Sequence, residues 1–205
     1  MVTVSGDQAT VTEKVSGLAE SFNGAPYPHV QHIHIGAAGT CPTTSADTDG
    51  DGVISTTEGA PSYGGVGTTL STSGDTSPAA GTDLTVAGMG AEYTYERTFT
   101  LNAETASALK AGTGVVVVHG LDPATLSQAA QDAPSDLVPS LPLAATSPAL
   151  CGTLTASQMD MPEGGAQTGA GGTHGSDLGM LALGGGLVLA AGGVVVARRR
   201  AVAGR

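Results

Sequence analysis

Apolar and polar residues alternate, or β-branched residues run together, in short segments separated by turn residues. Ala9-Thr-Val-Thr-Glu-Lys-Val15, His29-Val-Gln-His-Ile-His-Ile35, Tyr93-Thr-Tyr-Glu-Arg-Thr-Phe-Thr-Leu101, Val115-Val-Val-Val-His119 and Leu150-Cys-Gly-Thr-Leu154 have the period or the length of strands. Residues 2–4, 66–70 and 84–86 are shorter segments of the same kind. The spacing predicts an all-β, antiparallel sandwich. Two short helices interrupt it. Asn102 is placed to cap 103–110 with Gly112 ending it, and Asp122-Pro123 is a cap and first-turn proline opening 124–131. Pro134, Pro139, Pro142 and Pro148 make the approach to the last strand irregular.

The pattern changes after residue 158. Residues 159–177 are Gly-rich and read as a flexible stalk. From Leu178 to Ala197 no residue is charged, and Arg198, Arg199 and Arg200 follow at once, opening a basic tail over 198–205. That length spans a bilayer as a transmembrane helix, and the arginines place the C-terminus in the cytoplasm, leaving residues 1 to about 177 outside it. A buried core helix is the alternative for the same run. Ala166-Gln-Thr168-Gly169 resembles the Leu-Ala-x-Thr-Gly signal cleaved by sortases, which makes the span a cell-wall sorting signal on a second reading; Gly165 stands where leucine is expected, and a plain Gly-rich linker is the equal alternative. Both readings tether the domain to the cell surface. The first six residues carry no secretory signal, and the expectation is that an export signal lies upstream.

Composition narrows the partners. Of 205 residues none is Trp and 3% are aromatic, so the core must come from Val, Leu, Ile and Ala. The formal charge is −11; without the basic tail, Lys14, Arg97 and Lys110 face 18 acids, about −15. Nucleic acid is excluded as a partner by that balance, and metal ions are favoured. Cys41 and Cys151 are the two cysteines, and an even pair in an exported protein predicts a disulfide.

Asp47-Thr-Asp49-Gly-Asp51-Gly52-Val53-Ile-Ser55-Thr-Thr-Glu58 matches an EF-hand-type calcium loop at its diagnostic positions. Asp47, Asp49 and Asp51 supply hard oxygens, Gly52 permits the sharp turn, Val53 lends its carbonyl, Ser55 makes a direct or water-bridged contact, and Glu58 closes the shell with two oxygens. A solvated acidic turn is the alternative. Gly39 to Pro42 on one side and Gly59 to Pro61 on the other predict no good helix at either flank, so the loop reads as a structural clip between β-elements.

Four histidines fall in two predicted strands. His32 and His34 share a face by alternation, His29 has the other parity unless a bulge intervenes, and His119 joins the pair if its strand is a neighbour. Three nitrogens suit copper or zinc with an open position. Half-buried, hydrogen-bonded strand histidines are the alternative.

His32-Ile-His34, Cys41, Val116-Val-Val-His119-Gly and Leu150-Cys151-Gly152-Thr-Leu154 resemble, in that order, the copper/zinc superoxide dismutases. His32 to Gly39 and Val116-Val-Val118-His119 also resemble the chordin-type CHRD domain. Together they imply a Greek-key or immunoglobulin-like sandwich over about residues 2–155, with the calcium loop as an insertion. The dismutase resemblance implies copper at His32, His34 and His119, and His29 is carried as a further candidate. The pattern departs from the dismutases in lacking the histidines of the zinc subsite, the bridging histidine, and an arginine in 144–150. The expected function is therefore a surface-anchored domain that binds calcium structurally and holds copper, acting in adhesion, interaction or metal handling without catalysis. A copper-only superoxide dismutase is the alternative.

Overall fold

The computed structural model describes residues 1–155. The stalk, the apolar span and the basic tail expected over 159–205 lie outside the described residues. Among the described residues, no helix is long and apolar enough to cross a membrane.

Strands dominate and pair antiparallel. A three-stranded sheet has the order β1 (Val2–Ser5), β2 (Gln8–Ser16), β9 (Glu92–Thr100). A four-stranded sheet has the order β11 (Pro148–Leu154), β10 (Gly114–His119), β6 (Gln31–Ile35), β7 (Gly65–Thr69). Two small ribbons pair β3 (Ser21–Phe22) with β4 (Ala25–Pro26), and β5 (Pro28–His29) with β8 (Gly88–Met89).

Alternation explains why the two main sheets share one core. Ala9 and Val11 of β2 and Tyr95 and Phe99 of β9 point to the same cluster as Ile33 of β6, with Val116 of β10 and Leu154 of β11 packed against it. Burial of these side chains drives the layering, at about 1.5–3 kcal/mol for each large one. The arrangement is consistent with a β-sandwich.

Four helices decorate the sheets: α1 (Thr56–Tyr63), α2 (Ala103–Ala111), α3 (Gln128–Asp132) and α4 (Leu143–Thr146). Helix α2 is as expected, with Asn102 Oδ1 accepting from Thr105 N at 2.7 Å and Gly112 closing the C-terminus.

Three local expectations need correction. Residues 84–86 form a 3-10 turn rather than a strand, because the Asp83 carboxylate accepts from Thr85 N at 2.9 Å and closes the backbone on itself. The segment opened by Asp122 is split into a 3-10 turn, Pro123–Thr125, and α3, which Ser127 caps afresh. The acidic loop does have a helix at its exit, since α1 starts directly after Ser55. Its capping box is complete, with Ser55 Oγ accepting from Glu58 N at 3.2 Å and Glu58 Oε2 accepting from Ser55 N at 3.0 Å. Gly59, which argued against a helix, is required by it. A Cβ there would stand 2.5 Å from the Tyr63 ring, which folds back so that its hydroxyl donates to the Thr56 carbonyl at 3.0 Å.

Cys41 and Cys151 are bonded, with Cα atoms 5.8 Å apart. Their sulfurs belong to an apolar patch with Tyr63, Val115 and Val117 on the outer face of the four-stranded sheet. The bridge ties the segment leading to the acidic loop to β11.

Candidate metal centre

The outer face of the four-stranded sheet carries the histidines. In β6, Ile33 points into the shared core while His32 and His34 point out. In β10, His119 has the parity of Val115 and Val117, which pair with His34 and His32 across the sheet. The strand neighbourhood on which the third histidine depended is therefore present. Ring centroids lie 5.1 Å apart for His32 and His119, 5.4 Å for His32 and His34, and 5.7 Å for His34 and His119.

Each ring has one nitrogen bonded to a carbonyl and one nitrogen bare. His32 Nε2 donates to Gly81 O at 2.9 Å, His34 Nδ1 to Gly64 O at 2.9 Å, and His119 Nδ1 to Thr146 O at 2.6 Å. A carbonyl oxygen only accepts, so these bonds fix the protons on those nitrogens and leave lone pairs on His32 Nδ1, His34 Nε2 and His119 Nε2. All three atoms are buried without a partner among the described residues. One ligating nitrogen from each ring lies within 4.8 Å of the other two. Stranded buried acceptors are costly, and three such rings gathered this closely, each held by a carbonyl behind it, have the arrangement that a metal ion could use.

Electrostatics keeps the rings in the ligating form. Burial, with repulsion from His119 and His34, pushes His32 down to about 3. Burial holds His34 below its ordinary value and brings His119 down to about 4. Neutral imidazole is the form that binds a metal.

His29 does not join them. It is fully buried, and its ring nitrogens face His119 O and Ala19 O, each at 2.9 Å, which leaves neither nitrogen for a metal. Val30 separates β5 from β6, so the expected strand over 29–35 is interrupted and no bulge brings His29 onto the outer face.

The acidic loop presents a second gathering. One carboxylate oxygen from each of Asp47, Asp49 and Glu58 falls within 4.8 Å of the others. Asp51 is not part of that trio; its Oδ1 accepts from Val53 N at 2.7 Å. Asp47 braces the loop through both oxygens, accepting from Gly50 N at 2.7 Å and Gly52 N at 3.0 Å, and Gly52 takes the positive φ of 88° expected of it. Ser55 spends its hydroxyl on capping α1. Val53 buries its side chain against Ala130 and Leu143, which anchors the loop. Glu58 accepts from Ser55 N, Thr48 N and Thr48 Oγ1, and these donors hold its carboxyl down to about 2.

The carbonyl partners at Gly64, Gly81 and Thr146 had no sequence signature, because any residue supplies a carbonyl. Tyr63, whose ring lies 4.6 Å from that of His34, carried none either. No family model, no curated protein and no solved structure matches this chain.

Proposed function

We propose that residues 1–158 form a metal-binding module of the chordin-type CHRD kind, tethered at the cell surface by residues 159–205. In this reading the sandwich is Greek-key or immunoglobulin-like and resembles that of the copper/zinc superoxide dismutases. His32, His34 and His119 hold one transition-metal ion. Among divalent metals, an all-imidazole set binds copper most tightly. The observation that carries the reading is the convergence of three partnerless ring nitrogens, each oriented by a carbonyl behind it. The acidic loop takes calcium as a scaffold element through Asp47, Asp49 and Glu58, with Asp51, Val53 and Ser55 completing the loop around them. Millimolar calcium outside the cell would fill even a weak site.

The role this supports is metal holding, adhesion or interaction without turnover. A copper-only dismutase is the alternative, favoured by one observation: three nitrogen ligands leave a coordination position open. Against it stands the strongly acidic charge, which repels an anionic substrate. Copper loading of the purified protein, followed by metal analysis and a superoxide assay, separates the two. One equivalent of copper without turnover supports the holding role. Turnover that disappears in His119→Ala supports the dismutase, and no copper uptake overturns both.

A further inference from the structure

A cavity of ≈ 130 Å³ adjoins the histidine cluster. Four separate segments close around it. Phe22, Tyr27 and Val30 come from the region before β6, Leu84 from the 3-10 turn, and Val138 and Leu141 from the proline-rich approach to β11. Its inner wall is formed by His32 and His119 together with Gly81 and Thr146, whose carbonyls orient those two rings.

Three features limit what it can hold. The size is close to that of an engineered apolar cavity of about 150 Å³ that stays dry and takes up benzene, and it lies well below the roughly 300–1,000 Å³ of sites for drug-sized ligands. Among the described residues no acid, lysine or arginine lines it, so a charged guest would lose its hydration without compensation. The mouth carries Leu84 and Leu137, which are 42% and 54% exposed and rank among the few large apolar side chains left in contact with water. Tyr27 Oη is buried without a partner among the described residues, so the buried lining side chains retain one spare polar atom besides the imidazole nitrogens, while the Thr82 side chain is exposed.

We propose that this cavity binds one small, uncharged, ring-sized apolar molecule, carrying at most a single hydroxyl, against the His32 and His119 imidazoles. The proposal deepens the metal-site reading, on which its functional meaning rests, by making a neutral organic molecule rather than an anion the ligand next to the metal. Occupancy of the cavity itself requires no metal. Bound there, the guest would cover the two rings and exclude water from that side of the centre.

The test is a methyl-detected NMR titration of the full chain with benzene, phenol and benzoate, run with and without copper(II). Benzene and phenol should give saturable shifts on the Val30, Leu84, Val138 and Leu141 methyls, and benzoate should give none. Ala145→Leu and Val138→Phe, two cavity-filling changes that leave the histidine nitrogens untouched, should each weaken ring binding at least tenfold while the remaining methyl spectrum stays native. Absence of saturable shifts with both neutral probes overturns the proposal, as does benzoate binding as tightly as benzene, or unchanged binding in both filled variants. Concentration-dependent dimerisation abolished by Leu137→Ser would give the mouth to a second copy and also overturn it. If ring binding persists and copper binding fails, the metal reading falls alone; if copper binds and the rings do not, this inference falls alone.

Discussion

At the scale of a residue, the candidate metal centre rests most on His119. It sits at the end of β10 with its ring 5.1 Å from that of His32 and 5.7 Å from that of His34, its Nδ1 proton is committed to the Thr146 carbonyl, and its buried Nε2 has no partner among the described residues. Replacing it by glutamine should lower copper affinity by more than the roughly 10- to 100-fold that loss of an outer-shell partner costs, as measured by competition with a chelator. The depressed histidines also set a pH dependence. Their folded values lie below the ordinary value of about 6.5, so the unfolded chain takes up protons first as pH falls. Stability of the metal-free protein is therefore full above about pH 6.5 and declines from there towards about pH 3. Denaturant midpoints at pH 7 and pH 5 should differ, and the difference should shrink in His119→Asn; equal midpoints would remove the buried neutral rings from the account. Much of this was legible in the sequence. The His32-Ile-His34 alternation indicates a shared face, and His119 joins the pair on the condition that its strand is a neighbour. The carbonyls behind the rings were not legible, because they come from loops whose path depends on the whole fold.

Helix α1 connects the two candidate metal sites. It begins at the capping box of the acidic loop and ends at Gly64, whose carbonyl holds His34, and its Thr56 hydroxyl donates to the same Thr146 carbonyl that holds His119. Ser55→Ala should cost about 0.5–2 kcal/mol in a denaturation experiment, the ordinary value of an N-cap. Thr56→Val removes one of two donors to the Thr146 oxygen without touching a ligand. Copper affinity should fall by about tenfold, the low end for an outer-shell change, with little loss of fold. An unchanged affinity would show that the helix braces the loop and not the histidines. The element was missed in the sequence because Gly59 and Pro61 are poor helix residues taken singly. What decides the matter is tertiary: the ring of Tyr63 occupies the space a side chain at 59 would need, and the capping box closes the first turn. Strands fared better, since burial on one face imposes alternation directly. The failure at 84–86 has the opposite cause, a local Asp83 cap stronger than the β-propensity of Leu-Thr-Val.

At the scale of the molecule, seven strands of the described residues, in two antiparallel sheets, enclose the main core, and the candidate metal centre sits outside it on the face of one sheet. Long loops cover that face, and the Cys41–Cys151 bond fastens them to the edge strand β11 across 110 residues of sequence. Reduction should cost about 4–5 kcal/mol by the chain-entropy argument and should loosen the acidic loop before the sandwich. Hydrogen exchange of residues 41–58 against residues 93–99, with and without reductant, checks the order. The antiparallel class, the disulfide and the place of each ligand strand were within reach of the sequence, because they depend on pairing and periodicity. The cavity beside His32 was not, since its walls come from four segments that no periodicity connects.

The most direct test of the central claim is electron paramagnetic resonance of the full chain titrated with copper(II). Three imidazoles gathered on one ion predict a single species at one equivalent, with hyperfine structure from three nitrogens, that loses one nitrogen in each of His32→Ala, His34→Ala and His119→Ala and keeps all three in His29→Ala. A heterogeneous signal without a stoichiometric end point, unaffected by those substitutions, would contradict it.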